Sequence, residues 1–315
     1  MILHRFSTRI PQEVGAALAA FEREFSYPLG SFGRFRISHG EDYLPFFRAM
    51  GEAELLLLEE AGAVQGVLAR VQRVIERRGE GRKEQMAHYL CDLKLRAAAR
   101  GSLVLPRLIR ETKRRIEGSG SHSCYCVVME GTGKLPTDYT GRLGVPRFER
   151  LGEILILRIG AARQERGLVE LSPGDFAALH SRLAAPGYAA TGAIPSLRSL
   201  MEPLHLATAA GDACGVLEDT RRGKRLYVED GPEMLSAHLS RFAYASPQAG
   251  ARLLGKAAAL AGEQGMEALF VAVPKQASDA LLQHLGDLPI TLAPAVVYGH
   301  ALEAGVDWWI DTAEI

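Results

Sequence analysis

The chain has 315 residues, 47% apolar and 23% charged, about twice the usual domain length, so two domains with a sizeable buried core are expected. These values exclude a disordered tail, a collagen-like rod and a helical membrane bundle, since no run approaches the roughly 20 apolar residues of a spanning helix. Net charge is zero, yet residues 1–158 carry 25 Lys/Arg against 19 Asp/Glu and residues 159–315 carry 12 against 18. This asymmetry favours the first half for an anionic ligand and equally suits attraction between the halves. The start, MILHRFSTRI, lacks the apolar core of a secretory leader, and four cysteines are too few for a disulfide scaffold. A reduced cytoplasmic protein is expected.

In chain order, residues 2–8 read as a short strand. Val14, Leu18, Phe21 and Phe25 recur at helical spacing, which predicts an amphipathic helix over 12–25. An aromatic, glycine-rich connection, Tyr27–Gly40, leads to a short helix near Asp42–Met50. Residues 54–59 and 63–77, parted by Gly62, predict a β-hairpin, and Arg77–Lys83 a second turn. Residues 86–96 form the next strand, and Gly101 to Glu117 a helix ending at Gly118-Ser119-Gly120. Residues 122–129 (HSCYCVVM) are a buried strand, a helical turn follows near Thr137–Leu143, and residues 148–159 are the last strand of the unit. The second half repeats this ending: strand His238–Ala245, helix Pro247–Glu263, strand Met266–Val273, helix Lys275–Leu285 and strand Ile290–Leu302. An offset of about 145 residues is too long for a solenoid repeat, so a fused duplication is the reading, with two unrelated α/β domains as the alternative. The boundary falls near Gly160–Gly167, which gives domains 1–160 and 161–315.

The stretch that carries chemistry is LCDLKLRAAARGSLVLPRLI, residues 90–109. A strand with Leu93 and Leu95 on one face passes through Ala97–Ala99 to Arg100-Gly101, where a helix begins. A glycine at a strand-to-helix junction lets backbone N–H groups face an anion, aided by the helix dipole.

In this segment the sequence resembles the GNAT-type N-acetyltransferases, whose pattern is an apolar Asp-Leu-x-Val strand, then x-Pro-x-x-Arg-Gly-x-Gly-x-Gly/Ala opening a helix. Asp92-Leu93-Lys94-Leu95 matches the strand, Arg100-Gly101 follows at the family spacing, and Leu108-Ile109 takes the paired apolar positions of the helix. The resemblance implies an α/β (α+β) chain of two fused GNAT-like domains, each a mixed, mostly antiparallel twisted sheet flanked by helices, with the second half degenerate. It implies an acetyl-CoA-dependent N-acyltransferase, acetyl-CoA as co-substrate, no metal, and a small-molecule or peptide amine as acceptor. The pantetheine arm would bond the backbone of Leu93, Lys94 and Leu95, and the pyrophosphate the amides of Arg100, Gly101, Ser102, Leu103 and Val104. Tyr139 is the candidate acid, in the loop resembling the family's Tyr-x-x-x-Gly pattern that ends at Gly144, though it stands one place early, with Thr140 at the family position; plain packing is the alternative. Asp92 is the candidate base or base-orienting residue, or else half of a structural ion pair.

Departures from the pattern lie at Ala97 (for proline), Cys91 (for a glutamate found in many relatives), Leu103 and Leu105 (for small residues) and Pro106. Leu103 either turns away, leaving its N–H available, or blocks the diphosphate; Pro106 either kinks the helix or shifts its start. Ala97 is a harmless change, whereas Leu103, Leu105, Pro106 and Cys91 favour the alternative function, a catalytically inactive ligand-binding or regulatory protein of the same fold. In the second half Ala245-Ser246 stands where Arg-Gly would be, so cofactor binding is not expected there.

Other motifs point less far. His122, Cys124 and Cys126 alternate on one strand face and lack the turn spacing of a structural zinc site; Cys91 reads as core packing. Gly131-Thr132-Gly133-Lys134 lacks the first glycine and final Ser/Thr of a phosphate loop. Basic clusters at Arg107, Arg110 and Lys113–Arg115, and at Arg77, Arg78, Arg82 and Lys83, carry no stacking aromatics, which argues against nucleic acid. Trp308 and Trp309 are expected to anchor the last segment on the core.

Overall fold

The computed structural model describes residues 1–79, 81–142, 145–161 and 167–315. Most of the expected domain boundary, and Leu143 and Gly144 of the tyrosine motif, lie outside them.

The first half runs β1 (Ile2–Phe6), α1 (Gln12–Glu22), β2 (Tyr27–Pro28), β3 (Arg34–Ser38), α2 (Leu44–Arg48), β4 (Glu52–Glu60), β5 (Ala63–Arg78), β6 (Lys83–Leu95), α3 (Val104–Glu117), β7 (Cys124–Met129), α4 (Pro136–Tyr139) and β8 (Glu149–Gly160). The second runs β9 (Leu168–Glu170), α5 (Pro173–Leu183), β10 (Gly187–Ala190), β11 (Leu204–Thr208), β12 (Ala213–Glu218), β13 (Arg225–Val228), β14 (Ser236–Tyr244), α6 (Pro247–Glu263), β15 (Ala268–Pro274), α7 (Lys275–Leu282), β16 (Ile290–His300) and β17 (Trp308–Trp309). The strands read as apolar runs match, and α6 matches residue for residue. Helix α1 ends at Glu22, three residues before Phe25. Strands β2, β3 and β9–β13 and helix α5 are additions to the sequence reading.

One continuous sheet has the order β1-β4-β5-β6-β7-β16-β8-β15-β14-β12-β11-β9. The halves meet by exchange: β16, from the end of the chain, lies between β7 and β8, while β8 lies between β16 and β15. Each half thus completes its sheet with a strand of the other. A small second sheet, β13-β3-β2, also crosses the halves. Helices cover both faces of the main sheet. Leu18 and Phe21 of α1 and Phe46 and Phe47 of α2 pack on Leu55, Leu57 and Val67. On the other face Val104 and Leu108 of α3 pack on Leu56, Leu58 and Leu68. Alternating residues of β4 therefore serve opposite cores, as a strand's period of two dictates.

Candidate active site

β6 carries a bulge. Cys91 pairs with Ala69 and Lys94 with Val67 on β5, so Asp92 and Leu93 stand opposite the single Leu68, one residue of extra length, and Asp92 takes φ +53°. A bulge shifts the side-chain alternation by one and bends the strand. Leu93 and Leu95 consequently join the α3-side core, while Lys94 reaches Glu22 of α1 and Asp92 reaches Tyr43, just before α2, on the opposite face. The neighbouring parallel strand β7 pairs with β6 only at His88–Cys124 and Tyr89–Tyr125. Beyond that point β6 stays with β5 and β7 with β16, leaving a V-shaped cleft between Leu90–Leu95 and Cys126–Met129.

The loop after β6 follows the open end of this cleft. Ala97–Ala99 makes one tight turn, and Gly101 adopts φ +82°, a left-handed conformation that glycine takes without a Cβ penalty. The Arg100 and Ser102 amides are bonded to Ala97 and Ala99 carbonyls, and that of Val104 to Ser102 Oγ at 3.2 Å. Among the described residues, the amides of Gly101, Leu103 and Leu105 are left without acceptors. Leu103 is 64% exposed, so its side chain turns to solvent and does not fill the cleft. Helix α3 begins at Val104 rather than Gly101, and its first backbone bond runs from the Arg107 amide to the Leu103 carbonyl. Pro106 therefore sits in the first turn, where an N–H would have had no partner within the helix, and it costs no bond.

On the other face of the bulge lies a buried polar cluster. Lys94 Nζ is 2.5 Å from Asp92 Oδ1, 2.9 Å from Glu22 Oε1 and 3.1 Å from Tyr43 Oη. Tyr43 also donates to Asp92 Oδ2, and the His39 ring and amide reach Glu22 at 2.8 Å each. Burial opposes ionisation of Glu22, yet His39 and Lys94 bring its pKa down to about 2. Burial likewise works against the charge on Lys94, but Asp92, Tyr27 and Glu22 raise its pKa. Glu22, His39 and Asp92 lie close enough to hold a cation, and the Lys94 ammonium already stands between the two carboxylates. Glu22, His39 and Tyr43 were missed in the sequence. Their legible trace is Glu22 itself, a carboxylate four residues after Leu18 on the apolar stripe of α1.

Tyr139 is the last residue of α4, near Cys126 of β7, and no hydrogen bond links it to Asp92. Burial, with Cys126 and Asp138, raises its pKa, so the hydroxyl keeps its proton. Burial and Asp92 push the Cys91 thiol well up, which disfavours a thiolate nucleophile there. The basic clusters are largely paired: Arg114 and Arg115 with Glu111, Lys113 with Glu117, Arg77 with Glu303, and Arg78 and Arg82 with Glu76. The 131–134 stretch is an exposed loop.

The second half repeats the geometry without the donors. β14 and β15 run parallel from Ser236–Ala268 to His238–Phe270 and then separate, and β14 has its own bulge, with Arg241 at φ +51° in the place of Asp92. Only Ala245 and Ser246 intervene before α6, and Ser246 Oγ caps the helix by accepting from the Ala249 amide. The chain's own last segment lies against both strands. Asp311 accepts from the Arg241 amide at 2.8 Å, Thr312 meets His238 at 3.0 Å, and Thr312, Ala313 and Glu314 are buried. Glu314 continues into a buried ion-pair network that joins the halves, bonding Arg73 at 2.6 and 3.0 Å and Arg198 at 3.4 Å, while Arg198 also clasps Glu218.

No protein-family model matches the sequence, and no curated protein does. In three dimensions the chain is similar to Saccharomyces cerevisiae N-myristoyltransferase with bound myristoyl-CoA. One such structure gives a TM-score of 0.66 at 11% identity over 98% of this chain and 80% of that one. Another gives 0.62 at 10% over 95% and 83%. A GCN5-related N-acetyltransferase from Anabaena variabilis gives 0.51 at 11% over 95% and 72%. At these identities the likeness establishes the fold alone: two fused GNAT-like units, each a mixed, mostly antiparallel sheet flanked by helices. Among the described residues no helix is long and apolar enough to cross a membrane.

Proposed function

We propose that the protein is an acyl-CoA-dependent N-acyltransferase of the cytoplasm that moves an acyl group, acetyl by preference, to a small-molecule or peptide amine. Residues 1–160 carry the working cleft and 161–315 a degenerate copy. The observation that carries this reading is the opening of β6 from β7 past Tyr89 and Tyr125, ending at the acceptor-free amides of Gly101 and Leu103. Such amides at a helix N-terminus suit a diphosphate. In this reading the free edge of Leu93–Leu95 receives the pantetheine arm as an added strand, and Arg100, Ser102 and Val104 flank the diphosphate.

Asp92 accepts the proton of the attacking amine. A carboxylate has about four lone-pair sites, so room remains beside the bonds from Lys94 and Tyr43. Tyr139, held protonated, supplies the proton for the departing thiolate. Amine nitrogen to carbonyl carbon is the bond formed, and carbon to sulfur the bond broken. A second reading, a non-catalytic CoA-binding protein, draws on the lack of a Tyr139–Asp92 hydrogen bond among the described residues and on the ties already made by Asp92. Thiol release from acetyl-CoA across an amine panel separates the two. We expect turnover that falls at least tenfold in both Asp92→Asn and Tyr139→Phe; binding without turnover in the wild-type chain would favour the second reading.

A further inference from the structure

The point where β6 and β7 come together decides what an acyl chain would meet. Resting on the acyl-CoA reading, the thioester lies at the narrow end of the V, beside Cys91 and Asp92, and any carbons beyond its carbonyl run toward Tyr89 and Tyr125. Straight ahead the way is shut, because the strands are paired there.

On the α1–α2 face the two tyrosine rings stack at 4.9 Å. Tyr125 then meets Trp308 at 5.1 Å, and Trp308 meets Tyr188 at 4.8 Å. All four are 5% exposed or less. The column is pinned, since the Tyr89 hydroxyl donates to the Glu314 carbonyl at 3.1 Å and a Cβ on Gly152 would stand 2.8 Å from Trp308. On the α3 face the same end of the V is packed by Cys124, Phe148, Val296 and Tyr298, with Leu90 against them. Rings buried at this density do not move aside for a chain without loss of their packing.

We propose that this cleft selects short acyl groups, of acetyl or propionyl size, and that Tyr125, at the centre of the aromatic column, sets the limit. Trp308 and Tyr188 belong to the second half, so the degenerate copy supplies part of the specificity wall of the working one. This separates the protein from the structurally similar N-myristoyltransferase, which is seen with myristoyl-CoA.

Calorimetric titration of the full chain with CoA, acetyl-CoA, octanoyl-CoA and myristoyl-CoA tests the inference. We expect CoA and acetyl-CoA to bind within a few-fold of each other, and octanoyl- and myristoyl-CoA at least tenfold more weakly. Tyr125→Ala should raise the affinity for octanoyl-CoA relative to that for acetyl-CoA at least tenfold. Octanoyl-CoA binding to the wild-type chain as tightly as acetyl-CoA would overturn the length limit while leaving the acyl-CoA reading intact. Failure of CoA itself to bind the folded chain would overturn that reading and the limit with it. The wild-type series decides the matter even if Tyr125→Ala does not fold.

Discussion

The two clefts are built alike and furnished differently. Both open between parallel strands, β6–β7 and β14–β15, and both have a bulge whose leading residue, Asp92 or Arg241, is left-handed. The bend belongs to the backbone, and neither acidic nor basic side chains abolish it. What differs is the connection to the next helix and the company of the bulge residue. In the first half the loop after Leu95 leaves amides free, and the bulge carboxylate is locked to Lys94 and Tyr43. In the second, Ser246 caps its helix at once, Arg241 lies over the Phe176 ring at 4.9 Å, and the segment Asp311–Glu314 lies against both strands. A repeated fold can thus keep its backbone bend while the turn that follows is shortened and its helix is capped by a side chain.

The largest expected effect tests the company of the bulge. Lys94→Met leaves Glu22 and Asp92 buried without their cation, and breaking such a group costs about 3–5 kcal/mol. Arg241→Met forfeits a partly exposed cation–π contact worth about 1 kcal/mol or less. Urea denaturation of both variants checks the ratio, and equal losses would erase the distinction between the bulges.

A smaller pair of effects sharpens the contrast of the turns. Gly101→Val puts a β-branched residue at φ +82°, a strain of about 1–3 kcal/mol, and should lower CoA affinity at least tenfold. Ser246→Ala removes a helix cap, at about 1 kcal/mol of stability, and should leave CoA affinity unchanged. Calorimetry on both variants reads the difference; a loss of CoA binding in the Ser246 variant would place the ligand in the wrong half.

Much of this architecture was legible in the amino-acid pattern. The apolar runs of β4, β5, β6, β15 and β16 alternate or are continuous over strand lengths, and Ser246-Pro247 marks the start of α6 in the manner of a capped helix. The Arg100-Gly101 turn was legible because glycine is needed for its backbone. The strand exchange was not, since a strand's sequence records which of its faces are buried and not which neighbour pairs its edge. β2 and β3 are short and lie in what reads as a connection, Tyr27–Gly40, and no element is expected at β13; β3 holds β2 on one side and β13 of the other half on its other. The polar cluster escaped because its members are far apart in the chain: Glu22, His39 and Tyr43 look ordinary until the bulge at Asp92 turns Lys94 toward them. Glu314 escaped likewise, as its partners Arg73 and Arg198 come from distant strands and loops.

The most direct measurement is a crystal structure of the chain grown with CoA. We expect diphosphate density against the Gly101 and Leu103 amides, pantetheine along Leu93–Leu95, and the β14–β15 cleft still lined by Asp311–Glu314. An empty first cleft in well-ordered crystals, or CoA lodged between β14 and β15, would contradict that expectation.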